Sequence, residues 1–156
     1  MDLPWKALHA LLLLVVAHST PWAVARIARN RWATPLDLGC TAADGERLFG
    51  NHKTWRGLLS GTLACGLVAA VSGFGALRGC GFGALALLGD ALSSLVKRRL
   101  RRPPGTEVPG LDQLPEALLP LVVFAPALGL GAPQVAGITL GFLLLDMAAA
   151  KIRHRP

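Results

Sequence analysis

Charge is scarce in this chain: Asp, Glu, Lys and Arg make up 16% of its 156 residues, against 53% hydrophobic residues and a mean hydropathy of +0.49. So apolar a composition excludes an ordinary soluble domain and puts the chain in a membrane. Cysteine is scarcer still. Cys40, Cys65 and Cys80 are odd in number and lack a Cys-x-x-Cys spacing, which argues against a disulfide framework or a zinc site and leaves them as small packing residues. His9, His18, His52 and His154 show no ligand spacing either. For His18, inside the first apolar run, a packing role outweighs that of lining a polar cavity. The two halves show no self-similarity, which counts against a small transporter built on an inverted repeat. A cation-binding transporter or a non-catalytic membrane assembly protein is the alternative class to an enzyme.

Apolar runs recur at 3–25, 58–77, 81–96, 114–130 and 133–150, each about the length of an ordinary or slightly short spanning helix. The expected fold is an all-α integral membrane protein with five transmembrane helices in a single domain over 1–156. Most runs are rich in Gly and Ala, as where membrane helices pack closely. Of 16 Lys and Arg residues, 14 lie in the segments Arg26 to Arg56, Lys97 to Arg102 and Lys151 to Arg155. Five spans place those segments on one side, which the positive-inside rule makes cytoplasmic. The N-terminus is then outside, the C-terminus inside, and two long loops are cytoplasmic. Trp5 and Trp22 bracket the first run as an interfacial belt requires. A cleaved leader built from Lys6, the apolar run and Ala23-Val24-Ala25 is the weaker reading of the start, because an even number of remaining spans disturbs the charge bias.

Within the third run, Gly89-Asp90-Ala91-Leu92-Ser93-Ser94-Leu95-Val96 leads directly into Lys97-Arg98-Arg99-Leu100-Arg101-Arg102. An ionisable group at membrane depth is costly unless it faces water or a partner, so Asp90 is a candidate functional residue. Asp90, Ser94 and Lys97 fall at i, i+4 and i+7, with Ser93 at i+3, and share one helix face. The following loop, with Pro103, Pro104, Gly105, Pro109 and Gly110, is turn-rich and able to fold back over the bundle. It carries Asp112, 22 residues after Asp90, toward the same pocket. The first loop has Gly45, Gly50 and Gly57 for tight turns, and Lys53, Thr54 and Arg56 as phosphate donors beside Trp55. Equally, it reads as a basic loop lying on anionic headgroups.

The cations favour a phosphate-rich ligand, which two carboxylates repel unless a metal ion stands between. Magnesium suits that arrangement, because it takes one or two carboxylates together with phosphate oxygens and waters. The residues therefore suggest metal-assisted phosphoryl or nucleotidyl transfer to a lipid. A structural ion pair of Asp90 with Lys97 or Arg98 is the plainer alternative.

Three motifs in order, Gly50-Asn51-His52-Lys53-Thr54-Trp55-Arg56-Gly57, Gly89-Asp90-x-x-Ser93-Ser94-x-x-Lys97-Arg98-Arg99 and Pro109-x-x-Asp112-Gln113, resemble the CDP-archaeol synthase family, relatives of bacterial phosphatidate cytidylyltransferases. The resemblance is strong from about Arg47 to Pro115 and rests on hydropathy alone in the outer helices. It implies a five-helix enzyme of the cytoplasmic membrane, its site facing the cytoplasm, that transfers CMP from CTP to an ether-linked or phosphatidate-like lipid phosphate. Mg2+ is the implied cofactor and pyrophosphate the second product. CTP, the lipid phosphate and membrane lipids are the implied partners, and no nucleic acid polymer is. By the same resemblance Asp90 and Asp112 are metal ligands and form the catalytic set with Lys97 and Arg98, which hold phosphates. Asn51, Lys53, Thr54, Arg56, Ser94, Arg99 and Gln113 are substrate-binding, and Trp55 packs a base or a lipid chain. In the last helix, where typical members carry a histidine and an asparagine, this chain has Phe142 and Asp146. Asp146 is expected to pair with Lys151 more than to line the pocket. The Ala- and Arg-rich makeup suggests a bacterial member and leaves the acceptor lipid open.

Overall fold

The computed structural model describes residues 3–103, 106 and 108–153, without the side chains of Leu3, Ile152 and Arg153. Pro104 and Gly105 of the turn-rich loop, and His154 and Arg155 of the basic tail, lie outside the described residues. The chain forms five helices in the order α1 (Leu3–Ala28), α2 (Trp55–Val71), α3 (Ala76–Arg99), α4 (Gln113–Leu128) and α5 (Ala132–Arg153). Among the described residues α1, α3 and α5 contain stretches long and apolar enough to cross a membrane, whereas α2 and α4 have 17 and 16 residues.

Helix ends depart from the apolar runs, for local reasons. Thr54 starts α2 earlier than the run does, its hydroxyl accepting the Gly57 N–H at 3.1 Å, an N-cap that satisfies one otherwise orphaned donor. The same helix stops at Val71, short of the expected 77, because Gly73 and Gly75 adopt φ of +78° and +99°, the left-handed region that breaks a helix at little cost to glycine. The third helix extends past the apolar run through Lys97, Arg98 and Arg99, cations favoured at a helix C-terminus by its dipole.

Helix α1 touches all four others, while α2, α3 and α4 pack in sequence and α5 rests on α4 and α1. Leu13, Leu14 and Ala17 of α1, Cys65 and Ala69 of α2, Phe82 and Ala86 of α3, Leu121 of α4 and Phe142 of α5 are buried in a common core. Small residues set the spacing of these helices. A Cβ on Gly79 would meet the Cys65 carbonyl oxygen at 2.4 Å, and one on Gly89 would meet the Pro115 carbonyl oxygen at 2.2 Å. These approaches bring α3 against the backbone of both neighbours, which membrane helices use in place of a hydrophobic driving force. Asp90, next to Gly89, is thereby set beside the N-terminal turn of α4.

Candidate active site

The C-terminal ends of α1 and α3, the N-terminal ends of α2 and α4, and the first loop surround one cavity of about 650 Å³, within the range of small-molecule sites. Asp90 and Asp112 both line it, as do Asn51, Lys53, Thr54, Arg56, Ser94, Lys97, Arg98 and Gln113. Two distant sequence stretches thus meet at one place.

The pairing of charges differs from that of the plainer alternative. Asp90 is ion-paired with Lys53 of the first loop, not with Lys97 or Arg98. Lys97 reaches Asp112 instead, Nζ to Oδ1 at 2.6 Å, and donates to the Thr106 carbonyl at 3.1 Å. Asp112 Oδ1 is buried without a hydrogen bond, so its contact with Lys97 is one of charge and lacks the direction of a hydrogen bond. Its other oxygen accepts the Val108 N–H at 3.0 Å, which fixes the returning loop against α4. Arg98, 5% exposed, donates to the Pro103 carbonyl at 2.8 Å. The Ser93 and Ser94 hydroxyls both donate to the Asp90 carbonyl, at 2.8 and 3.0 Å, and only Ser94 borders the cavity.

Two arginines are engaged by the first loop and the turn after α1. Arg99 is not among the cavity-lining residues. Its guanidinium donates to Asp44 Oδ1 at 2.5 Å and to the carbonyls of Glu46 and Arg47 at 3.1 and 2.9 Å, stapling the end of α3 to the first loop. Arg56 borders the cavity but donates from Nη1 to the carbonyls of Arg29 and Arg31, closing the chain turn after α1. Charge and position in the sequence did not reveal these backbone acceptors.

The first loop is built around Asp37, whose side chain is withdrawn from solvent. One carboxylate oxygen accepts the Gly39 N–H at 3.1 Å and the Arg47 guanidinium; the other accepts the N–H groups of Phe49 and Gly50, each at 3.1 Å. Burial works to raise this carboxyl, but Arg47 and the three backbone donors outweigh it and hold it well below the usual carboxylate range. Arg47 also donates to Asn51.

Three further groups, His18, Glu116 and Asp146, line the cavity. His18 of α1 lies between two carboxyl groups: Nδ1 is 3.1 and 3.2 Å from the two Glu116 oxygens, and Nε2 is 3.2 Å from Asp146 Oδ1. Gln113 donates to the other Asp146 oxygen at 2.7 Å and accepts the Gly110 N–H at 2.8 Å. His18 therefore lines the cavity, against the packing role expected of it, and Asp146 is a cavity residue as well. Glu116, 2% exposed, falls four residues after Asp112 on the same face of α4, a spacing that was legible in the sequence.

Comparison with known proteins gives concordant matches. The sequence model of a family described as "CarS-like: CDP-archaeol synthase" matches residues 7–79. A CDP-archaeol synthase of Aeropyrum pernix is 38% identical over 154 residues, covering 94% of this chain and 84% of that protein. One from Thermofilum pendens is 41% identical over 105 residues, or 64% of this chain, which spans about half (51%) of that relative's length. A solved structure, described as "Structural insight into an intramembrane enzyme for archaeal membrane lipids biosynthesis", superposes with a TM-score of 0.71 at 34% identity, covering 89% of this chain and 91% of that one.

Proposed function

This chain belongs to the CDP-archaeol synthase family, and from that premise we propose that it transfers CMP from CTP to a lipid phosphate, forming a CDP-lipid and pyrophosphate. The observation that carries the reading is the meeting of Asp90 and Asp112 in one cavity with Lys53, Lys97 and Arg98. Ether-linked phosphate is the first candidate acceptor, since the named relatives are archaeal. Phosphatidate-like acceptors are the second. A cation transporter has no observation in its favour.

All five helices cross the bilayer in this reading, with α2 and α4 near the lower limit at roughly 25 Å of helix each. The basic segments then face the cytoplasm, and CTP reaches the cavity from there while the lipid arrives from the membrane. The whole of 1–156 acts as one unit.

Asp90 and Asp112 suit magnesium. Among the described residues no cluster of three or more His, Cys, Asp or Glu side chains is arranged to hold a metal ion. Magnesium needs no such cluster, because it shares one or two carboxylates with substrate phosphates and water. The buried Asp112 Oδ1, which has no hydrogen bond and is held by the Lys97 ammonium alone, becomes a donor to the ion when that lysine turns to phosphate. When bound, the ion neutralises phosphate charge and polarises the phosphorus under attack.

The rest of the chemistry falls to the chain. A lipid phosphate oxygen attacks the α-phosphorus of CTP, the bond to the β-phosphate oxygen breaks, and pyrophosphate leaves with its electron pair. Lys53, Lys97 and Arg98 stabilise the charge that builds on the transferring and leaving groups. A lipid phosphate is already ionised near neutral pH, so no side chain is needed to deprotonate it. Asn51, Thr54 and Ser94 orient the nucleotide. Pyrophosphate release from CTP with magnesium and a panel of ether- and ester-linked lipid phosphates tests the reading. Asp90→Asn is expected to lower turnover roughly a hundredfold or more with the fold intact; full turnover in that variant removes Asp90 from the metal site, and silence of the parent protein with every acceptor overturns the activity.

A further inference from the structure

The residues assigned to the nucleotide from the first loop, Asn51, Lys53 and Thr54, sit on a segment without helix or strand of its own until α2 begins at Trp55. A loop holds catalytic geometry only when something else fixes it. Backbone pairing holds part of this segment, through Leu48 to Cys40, Leu36 to Lys53 and Trp55 to Thr34, and the side-chain constraints on the turn immediately before Asn51 converge on one buried carboxylate. Asp37 accepts from the N–H groups of Phe49 and Gly50 and from Gly39, and pairs with Arg47, which in turn bonds Asn51. Arg99 then ties the same loop, through Asp44 and the carbonyls of Glu46 and Arg47, to the end of the helix that carries Asp90.

We propose that Asp37 is a positioning residue for the nucleotide-binding segment, holding Asn51, Lys53 and Thr54 in register with Asp90 from outside the cavity, with Arg99 as the staple to α3. The assignment of that segment to CTP rests on the function proposed above; the role of Asp37 in ordering it does not. An asparagine at 37 keeps one acceptor, presents an amide N–H toward backbone donors and loses the charge that holds Arg47, so the turn loses its anchor.

Two measurements on the purified full chain test this. Amide hydrogen exchange at residues 49–54 is expected to quicken at least tenfold in Asp37→Asn, with exchange in the helix interiors unchanged. Steady-state assays are expected to show a rise of tenfold or more in KM for CTP and less than a twofold change in KM for the lipid phosphate. In a Lys53→Ala background the same substitution should add little, because the segment's main charge is already gone. Unchanged exchange at 49–54 overturns the proposal, as does an equal rise in both KM values or full additivity with Lys53→Ala. If Asp37→Asn does not fold, Arg99→Gln, which cuts the staple and leaves the carboxylate, decides by the same criteria. A parent protein without cytidylyl transfer overturns the functional reading and leaves the exchange result to judge Asp37.

Discussion

Lys53 and Lys97 each stand against one of the two site carboxylates, Asp90 and Asp112. A lysine is a compact charge on a flexible stem, so either ammonium is able to leave its carboxylate for a phosphate when the nucleotide arrives. Lys53→Ala is therefore expected to lower kcat/KM for CTP roughly a hundredfold, the size of effect seen when one group stabilising transition-state charge is removed. Pyrophosphate release measures it; an unchanged kcat/KM with a lower unfolding temperature would leave Lys53 a purely structural partner of Asp90. Asp90 and the cations were legible because charge within or beside an apolar run stands out. Arg99 and Arg56 were legible as cations but not in their targets, which are backbone carbonyls and, for Arg99, the Asp44 carboxylate, all placed only by the folded chain. His18 and Asp146 are each isolated on their own helix, and only tertiary packing turns them toward Glu116 and Gln113.

At the level of helices, the contact that sets Asp90 is the approach of α3 to α4 at Gly89. A methyl group there would lie 2.2, 2.5 and 2.7 Å from the Pro115 carbonyl oxygen, its carbon and the Glu116 nitrogen. Backbone cannot swing aside as a side chain does, so Gly89→Ala must push the two helices apart, at about 1–3 kcal/mol for an overpacked core. Thermal unfolding in detergent is expected to show this loss, together with a fall in turnover as Asp90 and Asp112 separate. Gly137→Ala and Gly141→Ala, where an added Cβ meets nothing within 4 Å, serve as controls and should leave both unchanged. An unaltered Gly89→Ala protein would mean that the close approach is dispensable. Five apolar runs gave five helices because burial and lipid exposure both demand apolar side chains. Helix limits were less legible: hydropathy is blind to the Thr54 cap and to the positive φ at Gly73 and Gly75, which decide where α2 begins and ends.

For the molecule as a whole, the weakest join is that of α5, which among the described residues rests on α4 and α1 and touches neither α2 nor α3. At the cavity end this join is polar: His18 of α1 bridges Glu116 of α4 and Asp146 of α5, with Phe142 edge-on to the imidazole at 5.8 Å between ring centres. Removing the imidazole leaves two carboxyl groups facing one another in a largely buried setting. His18→Ala is expected to cost about 2 kcal/mol, below the usual range for breaking a buried pair because the histidine side chain is partly exposed. The cause is separable from loss of packing. If repulsion between the carboxyl groups drives the loss, Glu116→Gln placed on top of His18→Ala removes one charge and should restore much of the unfolding temperature, although the same substitution alone lowers it by depriving His18 of its partner. If lost packing around Phe142 drives it, the double variant will be no more stable than His18→Ala. The four unfolding temperatures of that cycle decide whether this polar bridge or apolar packing holds α5 against the cavity.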